Sequence, residues 1–229
     1  MVRLAEMVQD VDYTIRPPLQ KRSREAWERI LGAGVNLLSQ GGYDAFTIAA
    51  VCERAEVPPR AIYARVDTKE GLFLAVYEHG LASVREQMAA VFEGLSTTEK
   101  HHGAQLRVIV RGFAQVFDAN ADFLKPVLLL SSTHPEVHRR GSTYSRELGW
   151  NFTAALQHLK PAIKHDKPEL ALQFCFSMVH SAVVMRTMYG PGFAIPPVTQ
   201  QKFADELAEA AARYLFAPVT AQLDHPHNE

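Results

Sequence analysis

The chain has 229 residues, of which 47% are hydrophobic and 21% charged, and its formal net charge at pH 7 is −1. This composition excludes a disordered, collagen-like or low-complexity protein, and two cysteines cannot build a disulfide framework. No apolar run reaches about 18 residues and no secretory signal is found at the N-terminus, so we expect a cytoplasmic protein that does not enter the membrane.

The N-terminal part of the chain predicts a tail followed by one long helix. Residues 1–19 show no apolar period and contain two consecutive prolines, so we expect a flexible tail there. The helical pattern begins at Ser23 and places on one face Trp27, Ile30, Leu31, Gly34 and Leu38. The pair Gly41–Gly42 predicts the end of this helix, since glycine tolerates a left-handed backbone.

Two short helices are predicted next, in quick succession. Thr47 is suited to cap the first, because its hydroxyl can accept a hydrogen bond from an N–H of the first turn. The second is predicted over Pro59–Arg65, since proline is favoured at the first position of a helix. Two short helices joined by a tight turn behind a longer helix are typical of a DNA-binding helix-turn-helix.

The rest of the sequence predicts more helices and neither strands nor repeats. Asp67 and Glu70 have the spacing of a capping box, with Asp67 as the cap of the next helix. The predicted helices span residues 68–95, 104–119, 123–131, 136–159, 168–189 and 199–216. The polar residues 219–229 are expected to form a flexible tail. The chain is therefore predicted to be all-α.

A series of residues at fixed spacing accompanies the short helices: Gly42-Tyr43, Thr47-Ile48, Cys52, Ala55, Val57, Ile62-Tyr63, Thr68-Lys69-Glu70 and Leu72. Over residues 21–72 this series resembles the TetR family of transcriptional regulators. The resemblance implies a three-helix DNA-binding domain with a helix-turn-helix at residues 20–67. It also implies a helical effector-binding and dimerisation domain at residues 68–218, although residues 73–218 show no motif match.

The chain departs from the family pattern at several positions around the turn. Glu56 stands where the family has glycine, and a left-handed backbone there would cost about 1–2 kcal/mol. The other departures are Cys52 for alanine, Pro58 for serine, Arg60-Ala61 for a pair of small residues, Arg65 for histidine and Val66 for phenylalanine. They affect the operator sequence and the individual contacts rather than the motif.

The predicted DNA contacts are Lys21, Arg22, Arg24, Thr47, Arg60, Ala61, Tyr63, Ala64, Arg65 and Lys69. Arg60 lies in the first turn of the second short helix, where a side chain reaches base edges and arginine can donate two bonds to guanine. The basic cluster at residues 21–24 is interpreted as a DNA-contacting arm, with a solvated charge run as the alternative. Thr47 and Lys69 are expected at phosphates, although capping alone would explain Thr47. The resemblance adds a phosphate contact for Tyr63.

Aromatic and sulfur side chains in the C-terminal helices predict an apolar pocket between the helices at 104–119, 136–159 and 168–189. Its expected lining is Phe113, Phe117, Trp150, Phe176, Met178 and His180, and its ligand a small apolar or aromatic effector. The alternative for each residue is an ordinary core position, with His180 as a hydrogen-bonded interior histidine.

The last two predicted helices are expected to form a dimer interface. The helix at 168–189 is apolar over most of its circumference. The helix at 199–216 carries a face formed by Phe203, Leu207, Ala210, Ala211 and Tyr214. We expect both helices to pair with those of a second copy about a twofold axis, the alternative being that they close the core of one protomer.

These patterns predict a homodimeric, ligand-responsive repressor that binds a palindromic operator on double-stranded DNA and is released by its effector. The alternative is a helical small-molecule-binding or carrier protein whose DNA-binding unit is inactive, an interpretation supported only by Glu56 and Pro58. No phosphate-binding loop, hydrolase elbow or metalloprotease motif is present. We therefore expect no enzyme activity, cofactor or metal site.

Overall fold

The computed structural model describes residue 16 and residues 20–94, 101–193 and 196–218. The helices are α1 Lys21–Ala45, α2 Ile48–Ala55, α3 Pro59–Tyr63, α4 Lys69–Glu93, α5 His102–Ala119, α6 Ala121–Leu130, α7 Pro135–Ala155, α8 Pro168–Tyr189 and α9 Gln200–Phe216. These ranges contain no strand, which confirms the all-α prediction. The tails predicted at 1–19 and 219–229 lie outside the described residues, except for Arg16.

The chain divides into two compact units, one up to Ala82 and one from Ser83 onward. The division falls within α4. The first unit contains the helix-turn-helix, and the second contains the aromatic residues that were predicted to line a pocket.

The first helix has the predicted apolar face, because its buried residues include Trp27, Ile30, Leu31, Gly34 and Leu38. Gly42 interrupts α1 with φ 65° and ψ −162°, and a short helical segment then runs to Ala45. Within the same unit, a Cβ on Gly34 would lie 2.4 Å from a methyl carbon of Val76. Glycine at this position therefore allows α1 and α4 to pack closely.

The two ends of α2 bear on two points of the sequence analysis, the Thr47 cap, which is confirmed, and the backbone conformation at Glu56. The hydroxyl oxygen of Thr47 accepts a hydrogen bond from the amide of Ala50 at 3.1 Å and caps α2. Glu56 has the left-handed backbone that the family glycine would adopt, with φ 54° and ψ 48°. A non-glycine residue in this conformation is strained by about 1–2 kcal/mol.

Substitution of Glu56 by glycine is expected to raise the free energy of unfolding by about 0.5–1 kcal/mol. Relief of the left-handed strain exceeds the chain entropy that glycine loses on folding. Urea denaturation of the purified protein measures the change. Glu53→Gly, inside α2, is the matched control and should lower stability by about 1 kcal/mol. Equal losses of unfolding free energy in the Glu56 and Glu53 variants would contradict strain at Glu56.

The predicted capping box at the start of α4 is wrong by one residue. Thr68 is the cap, since its hydroxyl oxygen accepts a hydrogen bond from the amide of Gly71 at 2.9 Å and the helix begins at Lys69. Asp67 instead forms an ion pair with Arg16, and Glu70 accepts a hydrogen bond from the hydroxyl of Tyr43 at 3.2 Å. Both Asp and Thr are good caps, so sequence spacing alone does not choose between them.

Helix limits in the second unit differ modestly from the predictions. The sequence predicts one helix at 136–159. In the structure the α-helix ends at Ala155, and a 3₁₀-helix follows at Gln157–Ala162. The limits predicted for α8 are correct, and Thr199 caps α9 by accepting a hydrogen bond from the amide of Lys202. Helix α8 packs against α5, α6, α7 and α9, so it lies at the centre of this unit.

Candidate functional site

Helix α3 is anchored by one apolar side chain and presents the others to solvent. Ile62 is its buried residue, whereas Arg60, Tyr63 and Ala64 are exposed and Ala61 is partly exposed. Pro58 has an extended backbone, and its carbonyl accepts a hydrogen bond from the amide of Ala61 at 2.9 Å. The exposed side of α3 therefore combines an arginine, a tyrosine and small side chains.

Three other predicted contacts lie at the beginning of α1. Lys21 and Arg22 are exposed, and so is Arg24 about one turn further along the helix. The ammonium of Lys21 lies 4.0 Å from a carboxylate oxygen of Glu25. An exposed pair of this kind contributes little to stability, so it leaves the lysine able to exchange partners.

Thr47 and Lys69 occupy the starts of α2 and α4. Thr47 is exposed, and its hydroxyl can still donate a hydrogen bond while its oxygen caps α2. The ammonium of Lys69 lies 4.4 Å from the centre of the Tyr43 ring, a cation–π distance. The hydroxyl of that tyrosine donates to Glu70. The Lys69 ammonium therefore lies over the face of a tyrosine whose hydroxyl is itself bonded to Glu70.

Arg65 forms hydrogen bonds with other parts of the same unit, whereas Arg60 is exposed on α3. Its guanidinium donates hydrogen bonds to the hydroxyl of Ser23 and to the backbone carbonyl of Arg16. The backbone amide of Arg16 in turn donates to the carbonyl of Arg65 at 3.0 Å. Sequence reasoning missed Arg16 because the residue lies in an aperiodic segment beside two prolines.

In the second unit, four of the predicted pocket residues form an aromatic cluster. Phe113 and Phe117 stack with ring centres 5.1 Å apart, and Phe176 and His180 lie 5.3 Å apart. The imidazole Nε2 of His180 lies 3.3 Å from the hydroxyl of Ser145, and burial lowers the pKa of this histidine. This arrangement matches the alternative of a hydrogen-bonded interior histidine.

A groove of about 570 Å³ lies between α7 and α8 beside this cluster. It is lined by Ser145, Arg146, Gly149, Trp150, Thr153, Ala154, Gln157, Glu169, Gln173 and Phe176. Trp150 is 69% exposed, and the Phe176 ring lies so close to α7 that a Cβ on Gly149 would be 2.9 Å from it. Of the predicted lining, Trp150 and Phe176 border this groove, whereas Phe113, Phe117, Met178 and His180 do not.

Tyr144 on α7 is a residue that sequence reasoning missed. Its hydroxyl is buried and has no hydrogen-bond partner within the described part of the chain. Burial raises the pKa of this phenol to about 12, and the Arg85 guanidinium lies 5.0 Å from the ring centre. From sequence alone, a tyrosine in an amphipathic helix is indistinguishable from an ordinary core aromatic. A buried hydroxyl of this kind calls for a polar partner.

Helix α8 exposes an apolar strip that we call the α8 surface: Leu170, Phe174, Met185 and Tyr189. The Phe174 ring lies 5.8 Å from that of Tyr214 on α9. The predicted interface face of α9 requires one correction, because Ala211 is only 2% exposed and belongs to the core of the protomer. Phe203, Leu207 and Tyr214 are partly exposed, and Ala210 is exposed.

Helix α8 is also the one helix in the described ranges whose length and composition would suit a membrane span. Its packing against four other helices is that of a central bundle helix. The same ranges contain no group of three or more His, Cys, Asp or Glu residues placed to hold a metal ion.

Comparison with known families gives a match at the N-terminal unit. Residues 30–76 match the family model TetR_N, described as bacterial regulatory proteins of the tetR family. No curated protein matches the chain in sequence.

Solved structures resemble the chain over most of its length. One is assigned to the TetR family of transcriptional regulators, from Mesorhizobium loti MAFF303099. It has 19% identity and a TM-score of 0.67, with 84% of this chain and 97% of that chain covered. The TetR-family transcriptional regulator PfmR from Thermus thermophilus has 21% identity, coverage of 81% and 97%, and a TM-score of 0.58. The fatty acid degradation regulator FadR from Bacillus halodurans has 15% identity, coverage of 82% and 94%, and a TM-score of 0.57. At these identities the likeness establishes the fold.

Proposed function

We propose that this chain, a TetR-family transcriptional regulator by its N-terminal residues and its fold, is a homodimeric cytoplasmic repressor. It would bind a palindromic operator and be released by a small-molecule effector. The observation that carries DNA binding is the geometry of α3, which is anchored by Ile62 and exposes Arg60, Tyr63 and Ala64. Such a helix can enter the major groove with its N-terminal end, where base edges are read.

The predicted DNA contacts other than Arg65, which is considered in the next subsection, divide into residues that read bases and residues that bind phosphates. Arg60 donates to guanine, and Ala61, Tyr63 and Ala64 contact neighbouring bases or the backbone. The residues assigned to phosphates are Lys21, Arg22, Arg24, Thr47 and Lys69. This division is the usual one in protein–DNA complexes, where phosphate contacts set the register and base contacts supply specificity.

Substitution of Lys69 by alanine is expected to weaken binding to operator and to scrambled DNA by the same factor. The loss of one phosphate contact per protomer should also flatten the plot of log affinity against log salt by nearly two units for a dimer. Titrations of both duplexes at several salt concentrations measure the slope. An unchanged slope would show that Lys69 serves only to pack on Tyr43.

Dimerisation is proposed to occur through the α8 surface together with the exposed residues of α9. A twofold interface places the same strip of each copy against the other, so four helices bury these side chains from water. The interface would hold the two copies of α3, the recognition helix of each protomer, at the spacing of successive major grooves, about 34–36 Å.

The effector is proposed to be a small apolar or aromatic molecule bound at the groove between α7 and α8. Trp150 and Phe176 offer aromatic surfaces to it, and Ser145 joins the groove to the His180 cluster. Release from DNA requires that the effector bind the DNA-incompetent conformation more tightly than the competent one.

Selection from a library of random-sequence duplexes tests this function. The purified protein should enrich an inverted repeat, and extracts of small metabolites should contain a fraction that releases the enriched duplex. Absence of any enriched sequence would contradict the proposal. If the protein still bound small molecules, that result would favour the carrier alternative.

A further inference from the structure

We propose that Arg16 and Arg65 are positioning residues that hold the recognition helix in place for DNA, and that neither is itself a DNA contact. We call this pair and its partners the Arg16–Arg65 clamp. The inference rests on the proposed DNA-binding function, and it replaces the DNA contact that sequence analysis expected for Arg65.

The backbone contacts of the clamp are reciprocal. The amide of Arg16 donates to the carbonyl of Arg65 at 3.0 Å, and the guanidinium of Arg65 donates back to the carbonyl of Arg16 at 3.2 Å. The same guanidinium donates to the hydroxyl of Ser23 on α1. The chain immediately after α3 is thereby tied both to residue 16 and to the first turn of α1.

The side chain of Arg16 completes the clamp. One guanidinium nitrogen donates to both carboxylate oxygens of Asp67, at 2.6 and 2.8 Å. The other donates to the carbonyl of Tyr63, the last residue of α3, at 3.3 Å. Arg16 therefore links the C-terminal end of the recognition helix to the turn that precedes α4. A positive charge is also favourable beside the carbonyls that end a helix.

The recognition helix needs such support because few contacts within the helix itself stabilise it. It contains five residues, one of them buried, and no side chain caps its N-terminus. A helix this short is not stable in isolation, so its position depends on contacts with the rest of the fold. Ile62 fixes its inner face and the clamp fixes its C-terminal end.

The charges in the clamp also argue against direct DNA contact. Asp67 would repel a phosphate, and its ion pair with Arg16, in which one guanidinium nitrogen reaches both carboxylate oxygens, offsets its charge. Arg16 could contact DNA only by leaving Asp67 uncompensated. Arg65 would likewise have to give up its bonds to Ser23 and Arg16. Holding α3 is therefore the role that the geometry supports for both arginines.

A double-mutant cycle tests the clamp, with the duplex enriched by the wild-type protein as the probe and a scrambled duplex as its control. Arg16→Ala and Asp67→Ala should each lower operator affinity about fivefold to twentyfold, because each dimer loses two clamps. The double variant should lose no more operator affinity than the single variant that binds more weakly. The salt slope should stay at its wild-type value in all three, since no phosphate contact is removed.

A DNA contact by Arg16 predicts a different pattern. Arg16→Ala would then flatten the salt slope, and Asp67→Ala would leave affinity unchanged or raise it. Either result overturns the proposal, as does wild-type affinity in both single variants. Arg111→Ala is the matched control, since it breaks an arginine–aspartate pair of 2.6 Å in the other unit and should leave DNA affinity unchanged.

Hydrogen exchange of the free protein keeps the test independent of the operator. Arg16→Ala and Ser23→Ala should accelerate amide exchange at residues 62–68 and leave α1 at the wild-type rate. If Arg16→Ala does not fold, Asp67→Asn, which removes the charge and keeps the shape, replaces it. Unchanged exchange in these variants refutes the clamp. Failure of the wild-type protein to enrich any duplex refutes the proposed function while the exchange result still stands.

Discussion

Substitution of Arg60 by alanine is expected to weaken binding to the operator by about 1–3 kcal/mol and to relax the preference at one base pair in each half-site. Arg60 is exposed in the first turn of α3, and Pro58 and Pro59 fix the direction in which that turn begins. A bidentate arginine–guanine contact has this magnitude of discrimination. Anisotropy titrations on the operator, on single-base variants of it and on scrambled DNA measure both effects.

The matched control is Arg139→Ala, which removes an exposed arginine from the second unit and should leave both DNA affinities unchanged. An equal loss on operator and scrambled DNA in the Arg60 variant would make Arg60 a backbone contact. Recognition of the base sequence would then depend on Ala61, Tyr63 and Ala64, chiefly through apolar contact with thymine methyl groups.

Substitution of Phe174 by glutamate is expected to turn the dimer into a monomer at micromolar concentration, with a dissociation constant raised at least about a hundredfold. Phe174 is 53% exposed in the protomer, so the protomer itself should remain folded. In a twofold interface the substitution buries two unpaired charges at once, and each costs several kcal/mol. Sedimentation velocity measures the association state, and operator titrations should show a parallel loss of affinity.

Val108→Glu is the control for this experiment. Val108 on α5 is exposed to a similar degree and lies outside the α8 surface, so a charge there should leave the dimer intact. A monomeric wild-type protein at micromolar concentration would contradict the interface. A fully dimeric Phe174 variant would show that the α8 surface lies outside it.

The helical pattern of the chain could be predicted in detail where local chemistry is decisive. The apolar face of α1 and the Thr47 cap follow from side-chain periodicity and known preferences at helix ends, whereas the left-handed backbone at Glu56 was suggested by the glycine in the family pattern. The start of α4 was predicted one residue early, because Asp67 and Thr68 are both good caps. In the structure Asp67 pairs with Arg16, 51 positions away in sequence, and Thr68 is the residue that caps α4.

The candidate sites show where sequence reasoning ends. Phe113 and Trp150 are both aromatic residues on amphipathic helices, yet the first is fully buried and the second is 69% exposed. Composition predicts that such residues gather in the second unit. It does not predict which rings pack together and which line a groove, because that depends on how neighbouring helices are rotated. The same limit applies to Arg65, whose partners come from distant parts of the chain.

The most direct measurement for the central claim is the ratio of wild-type affinities for the selected operator and for a scrambled duplex at physiological salt. Sequence-specific regulators bind their operators roughly 10³–10⁷ times more tightly than other DNA. We expect a ratio of at least about 10³, with both affinities falling steeply as salt is raised. A ratio near one, or no binding to either duplex, would contradict a DNA-reading repressor.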